Sequence, residues 1–118
     1  MFRFEKFEVW QLGIDFADRV YAVTARFPIE ERFGLTSQMR RASVSISSNI
    51  AEGSSRSSDA DFSRFVEIGQ RSLMETVSQS HIAKRQNFLL TEDFQDLYDR
   101  AERLSRMLSG PRSKLLGK

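Results

Sequence analysis

The segment that most restricts the fold is Gln38–Gly53, QMRRASVSISSNIAEG, where small residues and isoleucines recur at a helical period. Met39, Ser43, Ile46, Ile50 and Gly53 follow one another at alternating steps of four and three, which is one face of a helix. Ala42 to Ser48 also alternates apolar residues with serine, the pattern of a half-buried strand. The helix is preferred because the four–three stripe continues past both ends of the alternating segment. No second strand is available to pair with it, and its neighbours read helical. Serine and alanine on a packed helix let adjacent backbones approach closely, so this second helix is expected to be the crowded one.

The helix before it carries more apolar surface than one bundle needs. Between Phe7 and Phe27, one stripe is Trp10, Ile14, Ala17, Tyr21 and Thr24, and another is Val9, Leu12, Phe16, Val20, Val23 and Phe27. At 100° per residue the stripes lie about 125° apart and span an arc of roughly 200°. A surface helix of a monomer needs an arc nearer ~100°. Glu8, Gln11, Asp15, Asp18, Arg19 and Arg26 occupy the remainder. The surplus predicts a contact with a second subunit, assigned to Val9, Leu12, Phe16, Val20 and Val23. Pro28 stops the helix, since its ring clashes with the preceding turn.

Turn chemistry divides the rest. Gly34 is the turn residue of the connector, and Thr36 is the expected N-cap of the second helix. Ser58 with Asp61 resembles a capping box at the start of the third. The inward stripe of that helix is Phe62, Phe65, Gly69, Ser72 or Leu73, Thr76, Ser80 and Ala83, with Gly69 expected to permit a close helix crossing. Asn87 suits a left-handed helix end. Thr91, followed by Glu92 and Asp93, opens the last helix with acids against its dipole. Phe94, Leu97, Ala101, Leu104 and Leu108 form a clean heptad stripe. Gly110-Pro111 breaks it, leaving Arg112 to Lys118 as a basic tail. The expected fold is all-α: one domain over residues 1–118, an antiparallel up-down four-helix bundle with helices near 7–27, 36–54, 58–86 and 91–110. It is expected to assemble as a ring-like homo-oligomer.

Chemistry is sparse. With no cysteine and one histidine, thiolate metal sites and the paired Glu-x-x-His motifs of di-metal bundles are both impossible. His81 falls on the polar side of the third helix, where an exposed or hydrogen-bonded histidine is expected. Nothing in the spacing places it beside a nucleophile and an orienting acid. No Gly-rich phosphate loop is present. The chain therefore reads as no enzyme, with no cofactor and no metal. The N-terminus lacks an apolar stretch of signal-peptide length, and no run approaches the ~20 residues that span a bilayer. A cytoplasmic protein without membrane contact is expected.

Arginine outnumbers lysine fourteen to four, although the net charge is only +2. Arg40, Arg41, Arg56, Arg64 and Arg71 gather around the second helix, its exit loop and the third helix, as a phosphate-binding surface requires. The arginines of the fourth helix are matched by acids in Asp96-Arg100, Asp99-Arg103 and Glu102-Arg106, an i,i+4 arrangement that stabilises a solvated face. Arg64-Glu67 and Arg71-Glu75 have similar partners in sequence. Arg40 and Arg41 have none at such spacing, and Arg56 has only Glu52. Asn49 and Glu52, i,i+3 near a helix end, are expected to hydrogen-bond a neighbouring helix or subunit.

Together these residues resemble a known family. Trp10, Tyr21, Phe27-Pro28 with Glu31, Gly34-Leu35, Gln38, Arg40-Arg41-Ala42, Ser45-Ile46 and Asn49-Ile50-Ala51-Glu52-Gly53, then Phe65 and Ser72-Leu73 with Glu75, look like the 23S rRNA-intervening-sequence proteins. The resemblance covers about residues 7–110, and Asn49, Glu52 and Gly53 belong to its signature. It implies a bacterial four-helix bundle, similar in fold to a homopentameric accessory protein of diversity-generating retroelements that binds nucleic acid and a reverse transcriptase. A homopentamer is therefore implied, with RNA or a reverse-transcriptase-like protein as partner. The alternative is a protein-interaction scaffold without nucleic-acid contact. Two positions depart from the family pattern: Gln86-Asn87 stands where a glycine is usual, and Pro111 where the last helix usually continues.

Overall fold

The computed structural model describes residues 1–111 and Leu115. The basic tail expected over 112–118 lies, Leu115 apart, outside the described residues. Four α-helices are present, and no strand occurs among the described residues: α1 (Glu8–Thr24), α2 (Leu35–Ser54), α3 (Asp59–Arg85) and α4 (Thr91–Leu108). Short 3-10 turns at Arg3–Lys6 and Ile29–Glu31 precede α1 and α2. Ala42 to Ser48 lies within α2, as the longer periodicity requires.

The helix ends show which local signals operate. Ser58 accepts a bond from the Asp61 N–H at 3.1 Å, and the Asp61 carboxylate pairs with Arg64 while also interacting with the Ser58 side chain. Asn87 adopts φ +63°, with Phe88 N–H donating to Ala83 O at 2.9 Å and Asn87 N–H to Lys84 O at 3.0 Å. That is a Schellman closure with asparagine doing a glycine's work. The departure at Gln86-Asn87 thus leaves the turn intact. Thr36 is not the N-cap. Leu35 is already helical and buried, and its N–H is taken by the Glu31 carboxylate at 3.1 Å. The acid supplies what the hydroxyl was expected to supply, and Thr36 faces the core. α4 closes at Leu108, just ahead of Gly110-Pro111.

Each helix packs on its neighbours in chain order, and α4 closes back on α1. Cross-contacts make every pair antiparallel. Gly13 faces Ser47 and Thr24 meets Arg40; Ser45 meets Ser72 and Gly53 faces Phe62. Gln70 reaches Ser105 while His81 meets Phe94, and Glu8 pairs with Arg103 while Arg26 pairs with Asp93. The predicted stripes of α2 and α4 are buried along their whole length, and that of α3 apart from Phe65 and Ser72, which are half-buried. Buried hydroxyls are satisfied by their own helices: Ser43 donates to Arg40 O, Thr76 to Ser72 O and Ser80 to Thr76 O, at 2.8–3.0 Å.

The interface assignment on α1 is overturned. Val9, Phe16, Val20 and Val23 are the core of this bundle, each no more than 1% exposed, and Leu12 is half-buried against the same core. The reason is geometric. α1 sits between α2 and α4 and needs an arc wide enough for both. Gly13 and Ala17 turn towards α2, and Arg19 reaches the acids of α4. What remains outside is the opposite stripe, Trp10, Ile14 and Tyr21.

Ion pairs tie α1 to α4. Asp96 receives Arg19 Nε at 2.9 Å and Arg100 Nε at 3.1 Å; Asp93 receives Arg26 at 2.7 Å. Of the i,i+4 pairs read from sequence only Asp96–Arg100 forms among the described residues. Arg103 crosses to Glu8 and Arg64 pairs with Asp61. Partial burial pushes the Asp96 carboxyl up, but the bonds from Arg19 and Arg100 outweigh it and hold the group below its ordinary value. A depressed carboxylate stabilises the fold above the unfolded pKa of ~3.9, and that contribution is lost as the pH falls through the folded value. Asp96→Asn is therefore expected to cost about 1 kcal/mol at neutral pH. The gap from the parent should close below about pH 4 in urea melts followed by circular dichroism.

Candidate nucleic-acid and assembly surfaces

The five arginines expected to form one binding face have different positions and partners. Arg40 is half-buried and caps α1: its Nε donates to Thr24 Oγ1 at 2.9 Å and Nη2 to Tyr21 O at 3.3 Å, with the guanidinium 4.5 Å from the Tyr21 ring centroid. This is a structural arginine, satisfying carbonyl and hydroxyl oxygens at a helix end. Arg56 lies over the Phe65 ring at 4.8 Å, and Arg64 is paired with Asp61, whose carboxyl it holds below the usual range. Arg41 and Arg71 remain. Both are exposed, and neither guanidinium has an ion pair or hydrogen bond among the described residues.

Arg41 borders a polar groove of about 370 Å³ between α2 and α3, with Gln38, Ala42, Ser45, Ser72 and Glu75. Its floor is bonded across the seam. Ser72 Oγ meets Ser45 Oγ at 2.9 Å, and Asn49 Nδ2 donates to Ser45 Oγ at 3.0 Å and to Ser45 O at 2.7 Å. The side-chain hydrogen bonds of Asn49 thus stay within its own helix among the described residues, and Ser45 carries the link to α3. The Glu52 side chain is exposed and makes no bond among the described residues. Gly53 marks a tight approach of α2 and α3: a Cβ there would lie 2.8 Å from both Phe62 Cδ1 and Phe65 Cβ. Gly69, the expected crossing glycine, has room, the nearest atom to its Cβ position being Ile46 O at 3.5 Å.

A second groove, about 410 Å³ and mostly apolar, runs outside α1 and α2. Trp10, Ile14, Tyr21, Val44 and Ala51 line it, and Phe4 of the N-terminal turn closes one end edge-on to Trp10 at 5.1 Å. Tyr21 is 46% and Val44 40% exposed. His81 is exposed, lying against the edges of Phe94 and Tyr98. No cluster of His, Cys, Asp or Glu suited to a metal occurs among the described residues, and no described helix is long and apolar enough to cross a membrane.

Sequence reasoning missed both grooves as sites. Gln38, Ser45, Ser72 and Glu75 were visible among the residues carrying the family resemblance. However, they stand on two helices about thirty positions apart, and no spacing rule joins them. Residues 5–110 match the sequence model of a family described as 23S rRNA-intervening sequence protein. Among solved structures, a protein of unknown function from the S23 ribosomal protein family of Bacteroides thetaiotaomicron superimposes with a TM-score of 0.79. It is 21% identical, covering 93% of this chain and 99% of that one. No curated protein matches the chain.

Proposed function

Because the chain belongs to the 23S rRNA-intervening sequence protein family, we propose that it is a non-enzymatic, self-assembling bundle that binds RNA or a ribonucleoprotein. The observation that carries the binding reading is Arg41, a free guanidinium beside a groove of further hydrogen-bonding groups. Arg71, next to the groove residue Ser72 in α3, is another exposed cation whose side chain has no ion pair or hydrogen bond among the described residues. Two arginines bind phosphate weakly, so assembly matters: a ring repeats the site, and linked weak contacts gain avidity. The homopentamer suggested by the family resemblance would bring its subunits together over the apolar groove of α1 and α2. That surface is exposed in the single chain and would be dry in a ring. A reverse-transcriptase-like protein is a partner of the same kind, and the cytoplasm is the place where such partners are found.

Native mass spectrometry of protein purified without nuclease tests both parts. A species near five times the 13.6 kDa chain mass, carrying extra mass that ribonuclease removes, is the expected result. Arg41→Glu should keep the assembled mass and weaken RNA binding at least about tenfold, with a shallower salt dependence. Arg40 is the wrong residue for this test, because its reversal removes the cap of α1. Retained affinity in Arg41→Glu, or capture of a protein partner insensitive to nuclease and salt, would replace the RNA reading with the scaffold reading.

A further inference from the structure

We propose that the groove between α2 and α3 holds one ribonucleotide unit of the bound chain and distinguishes RNA from DNA, with Arg41 on the phosphate and Glu75 accepting from the ribose 2′-hydroxyl. The inference rests on the RNA reading above and assigns the site within it. Three side chains of different chemistry converge on the groove without partners among the described residues: the Arg41 cation, the Glu75 carboxylate and the Gln38 amide. Arg41 and Glu75 line one groove and form no ion pair, so each keeps its hydrogen-bonding capacity for something else.

The floor adds a donor. The Ser45 and Ser72 hydroxyls share one hydrogen bond, and Asn49 donates to Ser45, so one hydroxyl hydrogen of the pair is left without an acceptor among the described residues. Arg41 and this hydroxyl are donors suited to phosphate oxygens. Glu75 can only accept, and a phosphate cannot rest against it. A hydroxyl can, and the 2′-hydroxyl is the donor that RNA has and DNA lacks. The volume of about 370 Å³ lies in the range of small-ligand sites, suited to one nucleotide rather than to a duplex face. A deoxyribose would leave the carboxylate beside the backbone with nothing to bond.

The test uses fluorescence anisotropy with short single strands of identical sequence, one RNA and one DNA, on the full chain. The parent is expected to prefer RNA. Glu75→Ala should weaken RNA binding about tenfold, the loss of a hydrogen bond to a charged group, and Glu75→Gln, which keeps an acceptor oxygen without the charge, by less. DNA binding should stay level or tighten, which erases the preference. Arg41→Glu should weaken both. All three variants sit on exposed positions, and their circular dichroism spectra should match the parent's. If Glu75→Ala tightens RNA and DNA alike, Glu75 is only a repelling charge at the rim, and the assignment is wrong while RNA binding stands. If the parent binds neither strand, the RNA reading itself fails and this inference with it.

Discussion

A Phe16→Ala chain is expected to lose about 3–5 kcal/mol of folding free energy, a large share of the roughly 5–15 kcal/mol that holds a domain folded. Phe16 is 1% exposed and packs into the core that joins α1 to its neighbours. Truncation removes its buried surface and leaves a cavity that a close-packed bundle closes only in part. Urea melts followed by circular dichroism should show the midpoint falling at an unchanged slope. The result separates two roles that sequence alone confuses. Had Phe16 been a subunit contact, its loss would separate the assembly and spare the fold. Val44→Arg in the outer groove supplies the contrast: it should lower the assembled mass with little change in the melt. A Phe16→Ala protein that keeps its melting curve would return the residue to the interface.

Gly53→Ala should destabilise by about 2 kcal/mol, even though alanine gains up to ~1 kcal/mol over glycine in a helix interior. The added methyl would meet the Phe62 ring and the Phe65 Cβ at 2.8 Å. Phe62 is buried and anchored in the first turn of α3, and Phe65 Cβ moves only with the backbone, so neither can give way cheaply. Gly69→Ala is the matched control. With Ile46 O at 3.5 Å as nearest neighbour the methyl fits, and the helix-propensity gain should appear as a rise of up to ~1 kcal/mol. Thermal melts of the two single variants should therefore move in opposite directions. A Gly53→Ala chain as stable as the parent would mean that α2 and α3 do not meet this closely.

The architecture was legible because helix periodicity and turn chemistry are local. The Met39–Gly53 and Phe94–Leu108 stripes are buried as their spacing requires, and Asn87 closes α3 in the left-handed conformation its residue type allows. The surface of α1 was legible only as a surplus. Periodicity measures the width of an apolar arc and not which half meets its own chain. Gly13 and Ala17, small residues set towards α2, were the available clue. The arginines failed for a similar reason. Arg40 and Arg41 are adjacent in sequence but point about 100° apart on a helix. One is taken up by the carbonyl end of α1 and the other is free, a difference set by where α1 ends, sixteen residues earlier. Gly53 and Gly69 share a face type and differ only in what stands opposite.

The buried serines and threonines have a consequence for how α2 and α3 line up. Ser43, Thr76 and Ser80 give their hydrogens to carbonyls of their own helices, so they offer the neighbour a smooth surface rather than a set of hooks. The alignment of the two helices therefore rests first on their buried apolar side chains, Ile46 and Ile50 on α2 and Val66 and Leu73 on α3. Two further contacts add stops to it. The Ser45–Ser72 bond lies near the middle, and at the end the two phenylalanine side chains fill the notch left by Gly53. Alanine in place of Ser43 or Ser80 should pass almost unnoticed. Loss of both stops would loosen that register, and the groove that borders Arg41 would change shape with it.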